Sequence, residues 1–290
     1  MGSGSWSDFA LLMLWISPAA LVAGRLFQGL WQRSAASASS KKVADPRERW
    51  GIYVPIALVV ASYFVFGYIA APLFFGILYH QFFLGSASSV EVWFESSHVG
   101  FAYSLLVTSL QLAAIFWFMR SKGGALNSLG LNRFRWRYAG QAAAAFVLYF
   151  LLFLVAARLI ETYIPEIDTD QQQQLGFNSV SGFDYVLVYA ALVIIPAFGE
   201  EILMRGFLYQ ALKKRLPYVW AVIVTSSLFA IAHLQLGSGA APLWIAAVDT
   251  FILSVVLIKL VDYSRSLWPA IFLHLIKNSL AFLYLFVIAG

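Results

Sequence analysis

Hydrophobic residues along this chain fall into long blocks separated by short polar stretches. A helix that crosses a bilayer needs about 20 mainly apolar residues at a rise of about 1.5 Å each. Blocks of that kind cover residues 9–31, 51–79, 99–119, 138–160, 185–212, 219–236, 241–261 and 267–289. The pattern predicts an all-α, polytopic helical bundle integral to the membrane, with about eight spans. The block at 219–236 is short, and the one at 185–212 carries charges toward its end. The Gly/Ser-rich start, Met1 to Ser5, enters no element. The apolar stretch after it has no basic residues ahead of it and no clear cleavage site, so it reads as a first span and not as a signal peptide.

Charge sorts the connections between the blocks. Arg33, Lys41, Lys42, Arg47 and Arg49 lie between the first two, within a Ser/Ala-rich linker. Arg120, Lys122, Arg133, Arg135 and Arg137 lie between the third and fourth, Lys213, Lys214 and Arg215 after the fifth, and Arg265 after the seventh. The alternate connections are poor in Lys and Arg: residues 80–98 offer Glu91 and Glu95, and residues 161–184 offer Glu161, Glu166, Asp168, Asp170 and Asp184. The positive-inside rule then predicts both termini outside. The segment from Ser121 to Tyr138 mixes Leu, Trp and Phe with Arg and reads as an amphipathic piece along the inner interface. Gln171 to Gln174 reads as a polar loop. No internal repeat and no separate soluble domain stands out.

Composition agrees with the lipid reading. Of 290 residues, 61% are hydrophobic and 11% charged, against roughly 25% charged in soluble domains. That is too little polar surface to cover a water-facing exterior. Aromatic residues make up 17%, and Trp and Tyr collect at membrane interfaces. The formal charge of +5 sits in short loops, so it signals topology and not a nucleic-acid partner. The chain has no cysteine, which excludes disulfides, thiolate metal sites and a cysteine nucleophile.

Against this background the polar residues inside the blocks stand out, because a charge at a helix centre costs at least about 2.5–3.5 kcal/mol in lipid. Glu201 and Arg205 are four apart and can pair on one helix face. Glu200 points about 100° away, which leaves a second carboxylate free. His233 lies in the short block, four residues after Phe229. His274 and Asn278 share a face in the last block. Each has a plainer reading taken alone: a helix-orienting ion pair, a hydrogen-bonded core histidine, or polar glue between membrane helices. Depth joins them. Measured from the inner ends, Glu200 and His233 lie roughly 20 Å in, Asn278 about 16 Å, Arg205 about 12 Å and His274 about 10 Å. These depths fit one cavity reached from the inner face.

The inventory suggests amide hydrolysis without a covalent intermediate. A carboxylate beside a neutral imidazole can hold a water and take its proton. A His and an Asn can donate to the oxyanion of a tetrahedral intermediate, at about 2.7–4 kcal/mol per donor. A proton-coupled transporter also uses buried Glu and His, but it should show paired discontinuous spans in its two halves. Here the polar residues cluster in the C-terminal half.

At these residues the sequence resembles the CAAX prenyl protease and bacteriocin-processing family of intramembrane proteases. The family pattern is Glu-Glu-x-x-x-Arg, then Phe-x-x-x-His, then His-x-x-x-Asn/Asp. Here it reads Glu200/Glu201/Arg205, Phe229/His233 and His274/Asn278, in order on separate apolar blocks. The similarity covers about residues 185–282, with a Leu-Gly-Leu element at Leu129, Gly130 and Leu131. It implies that Glu200 is the general base, that His233 helps hold the water, and that His274 and Asn278 form the oxyanion hole. Glu201 and Arg205 become a supporting pair. It further implies a glutamate-dependent endopeptidase without a cofactor, acting on a membrane-anchored protein or peptide. The chain divides accordingly into N-terminal transmembrane helices with basic cytoplasmic linkers, residues 1–137, and a catalytic core, residues 138–290. In a prokaryote the expected location is the plasma membrane. Two alternatives remain open here: a zinc-dependent intramembrane metalloprotease using the same histidines, and a non-catalytic binding or immunity module. The sequence also departs from the family, which often has small Gly positions and a Thr-Gly-Ser-Leu-like turn before its last motif. Here that turn reads Ser264, Arg265, Ser266 and Leu267. Asp249 and Lys277 are further unusual residues, expected at middle depth and able to pair across the last two blocks.

Overall fold

The structure is a computed structural model and describes residues 51–83, 89–124, 126–167, 177, 180–234 and 242–288. The first apolar block, the basic linker from Arg33 to Arg49, Asp168, Asp170 and the loop from Gln171 to Gln174 lie outside the described residues. Among those described, every regular element is helical. Six helices are long and apolar enough to cross a membrane. They are α1 (Tyr53–Phe82), α2 (Ser97–Ser121), α3 (Arg137–Tyr163), α4 (Asp184–Leu212), α6 (Trp244–Ser264) and α7 (Trp268–Ile288). Between α4 and α6 runs the shorter α5 (Tyr218–Ile231). The block predicted as a span at 219–236 is therefore a helix of 14 residues. At 1.5 Å per residue this is too short to cross the hydrocarbon region unaided.

Long unbroken runs of Leu, Ile, Val, Phe and Ala build these helices, since backbone groups in lipid must be satisfied within the segment. α3 shows the consequence most plainly. Val147, Leu148, Leu151, Leu152, Val155 and Leu159 all face outward on it. An apolar surface of that extent suits lipid and not water. α4 and α6 are the interior helices. Leu203, Phe207, Leu208 and Leu212 of α4 meet Leu253, Leu257 and Ile258 of α6 and Ile271 of α7 in one core. A separate cluster around Phe75, Trp93, Ala102 and Leu106 joins α1 to α2 and the short helix Val90–Phe94.

Two glycines let backbones approach closely, as membrane helices commonly do. A Cβ on Gly199 would stand 2.4 Å from Thr108 Cγ2, so α2 lies directly against α4 there. A Cβ on Gly206 would stand 3.0 Å from the carbonyl oxygen of Leu129 and 3.1 Å from Leu267 Cδ1. The Leu129–Leu131 element is thus a wedge. It seats the connection before α3 between α4 and the α6–α7 turn. Leu267 N–H donates to the Gly130 carbonyl at 2.9 Å, Asn132 Nδ2 to the Arg265 carbonyl at 2.6 Å, and Trp268 Nε1 to the Asn132 carbonyl at 2.7 Å. In that turn Arg265 takes φ 54°, the left-handed region.

Candidate active site

The glutamates of α4 have different surroundings, as their 100° offset predicts. Glu201 is fully buried, and its Oε1 accepts from Arg205 Nη1 at 2.8 Å and from His274 Nδ1 at 2.9 Å. Glu200 faces a cavity, and among the described residues its Oε2 has no hydrogen-bond partner. The backbone widens to π-type hydrogen bonding from Glu201 to Tyr209, a distortion that often marks functional sites.

The pairing of Glu201 with His274 fixes the imidazole. A carboxylate only accepts, so Nδ1 carries the proton. The other nitrogen, Nε2, then lies 3.9 Å from Glu200 Oε2, beyond direct hydrogen-bond distance. His233 is held in the same sense by its own helix. Its Nδ1 lies 2.8 Å from the Phe229 carbonyl, which can only accept, so in the neutral ring Nε2 is the acceptor.

Phe229 does more than supply that carbonyl. Its ring lies 4.3 Å under the Arg205 guanidinium and meets His233 edge to face at 4.8 Å. Arg205 is wholly buried, and among the described residues its Nε and Nη2 have no hydrogen-bond partner. The aromatic face takes up part of the charge that Glu201 leaves exposed to apolar surroundings. This is the physical reason for a Phe four residues before the histidine. The residue pairing α4 with α5 is an aromatic, which the sequence pattern showed only as a motif letter.

Asn278 is placed by a proline. Pro196 has no N–H to give to the carbonyl of Leu192, four residues back. Asn278 Nδ2 donates to that carbonyl at 3.1 Å, satisfying a group that lipid could not. A carboxamide has two donor hydrogens, so one remains for the cavity that Asn278 lines.

Glu200, His233, His274 and Asn278 all line this one cavity of about 190 Å³, together with Pro196, Phe229, Thr250 and Lys277. Asp249 and Lys277 pair as expected, with Lys277 Nζ 3.1 Å from Asp249 Oδ2. The second oxygen of Asp249 accepts from the Tyr149 hydroxyl of α3. Nothing in the sequence distinguished that tyrosine from the other tyrosines. Tyr63 of α1 was equally unmarked, yet it lies within electrostatic reach of Glu200, Arg205 and Glu201. Its link to the site comes through packing of α1 on α4, which local sequence does not encode.

One expectation is corrected. The cavity was expected to be reached from the end of the bundle that carries the basic loops. Its lining runs the other way along α7, through Ala281 and Phe282 to Leu285 and Phe286, and along α4 from Glu200 back to Leu192. The basic residues Lys213 and Arg265 stand at the opposite ends of α4 and α6. The depth estimates were compatible with one cavity but held no information on which side the helices part. Among the described residues no three His, Asp or Glu side chains converge closely enough to hold a metal ion.

Fold and site together define a multi-pass helical membrane protein whose buried carboxylates and imidazoles meet at a cavity between α4, α5, α6 and α7. Residues 182–280 match the family model for type II CAAX prenyl endopeptidase Rce1-like proteins. The matched region spans about a third of the chain and contains all three motifs. That region is similar to type II CAAX prenyl endopeptidases of the Rce1-like kind. No curated protein and no solved structure matches the chain.

Proposed function

We propose that this protein is a glutamate-dependent intramembrane endopeptidase. The single observation that carries the reading is the division of labour between adjacent glutamates. Glu201 is wholly buried in a bridge to Arg205 and His274, away from the cavity, while Glu200 lines the cavity.

In this mechanism a water sits between Glu200 and the acceptor nitrogen of His233. Glu200 takes one proton as the water oxygen bonds to the scissile carbonyl carbon. The carbonyl oxygen becomes an oxyanion, which the free amide hydrogen of Asn278 and the Nε2–H of His274, present as the imidazolium with its Nδ1–H on Glu201, stabilise. The C–N bond then breaks, and Glu200 returns its proton to the departing amine. The free enzyme is restored with no covalent intermediate and no cofactor. Glu201 and Arg205 act through His274 by fixing its ring. The substrate is a membrane-anchored protein or peptide, entering from the end of α7 where Leu285 and Phe286 stand. The test is hydrolysis of membrane-anchored peptides by the purified protein, with Glu200→Gln as the control.

A further inference from the structure

The cavity holds one charged group that hydrolysis does not use. Lys277 lies on its wall, one residue from Asn278 and three from His274. Its counter-ion does not share that position. Asp249 is absent from the lining, and its side chain is less exposed than that of Lys277, at 15% against 27%. Asp249 is also fully engaged, one oxygen on Lys277 and the other on the Tyr149 hydroxyl. An ammonium has three donor hydrogens, and the contact of Lys277 with Asp249 is an ion pair at 3.1 Å. Lys277 therefore lines the cavity while its counter-ion Asp249 stands outside the lining.

A plain helix-to-helix tie needs neither the lysine on the cavity side nor a tyrosine holding the aspartate. From these placements we infer that Lys277 is a specificity-determining residue: it binds a substrate carboxylate within a few residues of the scissile bond. The rise along α7 places the Cα of Lys277 about 4.5 Å further along the helix axis than that of His274. An extended chain covers about 3.3–3.6 Å per residue, so a carboxylate at such a position comes within reach of the lysine side chain. The carboxylate is either the free C-terminus of the substrate or an acidic side chain near the cut. Tyr149 and Asp249 are positioning residues that hold the ammonium at the wall.

The inference rests on the hydrolase reading, and binding separates the two. Glu200→Gln protein in nanodiscs is titrated with three fluorescent, N-terminally acylated apolar peptides. One ends in a free carboxylate, one in a carboxamide, and one in a carboxamide with an internal Glu. At least one carboxylate peptide should bind roughly ten- to a hundredfold tighter than the neutral one, the range of a charge-assisted hydrogen bond. Whichever peptide keeps the advantage identifies the source of the carboxylate. Adding Lys277→Met with Asp249→Asn, which leaves no orphan charge, should bring the ratio to near one, and Lys277→Arg should keep most of it. A merely structural lysine would lower all three affinities together and leave the ratio intact, which overturns the inference. Equal binding of all three by the protein with Lys277 intact also overturns it. Failure of the protein with Glu200 intact to cleave any peptide defeats the hydrolase reading separately, because the binding ratio needs no turnover.

Discussion

Glu201 Oε1 stands 2.9 Å from His274 Nδ1 and bridges it to Arg205, so one carboxylate oxygen joins α7 to α4 in the centre of the bundle. Removing a partner from a buried pair leaves an uncompensated charge, at about 3–5 kcal/mol. Glu201→Ala should lower thermal stability in detergent by that order and release His274 from its fixed orientation. Glu201→Gln, which still accepts a hydrogen bond, should lose less. Unchanged unfolding of Glu201→Ala would show that the bridge carries no stability.

Gly199 is where α2 and α4 touch. Gly199→Ala forces a Cβ to 2.4 Å from Thr108 Cγ2, an overpacking expected to cost about 1–3 kcal/mol. Thr108→Ser deletes that methyl and should recover most of the loss in the double variant. Additive losses, measured by thermal unfolding, would contradict the contact.

Arg265 occupies the left-handed region at φ 54°, where a residue with a Cβ is disfavoured by about 1–2 kcal/mol. The hydrogen bond from Asn132 goes to its backbone carbonyl, so the side chain is not needed for the turn. Arg265→Gly should stabilise the protein by about 1 kcal/mol or slightly less, because glycine also gains entropy in the unfolded chain. A destabilised Arg265→Gly would mean that the guanidinium itself holds the turn.

The chemistry was legible in the sequence to the extent that it is local. Glu201 and Arg205 share a face because they are four apart, and Glu200 must diverge from them. Lys277 and Asp249 were readable as a pair because each would be costly alone in lipid. The non-local parts were hidden. Glu201 reaching His274, Tyr149 holding Asp249 and Asn278 capping the carbonyl freed by Pro196 all depend on which helices adjoin. Hydrophobic periodicity in lipid says little about that, since lipid-facing and helix-facing residues are both apolar. The 14-residue α5 was anticipated as a short span, but its length in the fold could not be read from an apolar block that continues beyond the helix.

The absence of cysteine allows single-cysteine labelling to test which face of the membrane the cavity meets. The positive-inside rule predicts Lys214 inside and the exposed Tyr284, near the cavity end of α7, outside. In sealed cells a membrane-impermeant maleimide should label Tyr284→Cys and spare Lys214→Cys. The reverse pattern would invert the bundle and place the cavity mouth on the inner side.

The most direct measurement is cleavage of a panel of membrane-anchored C-terminal peptides by purified protein, with Glu200→Gln and a chelator as controls. Cleavage that survives the chelator and falls about 10²–10⁴-fold in Glu200→Gln is the result predicted. Cleavage that persists in Glu200→Gln, or that is abolished by chelator and restored by zinc, would contradict the glutamate mechanism.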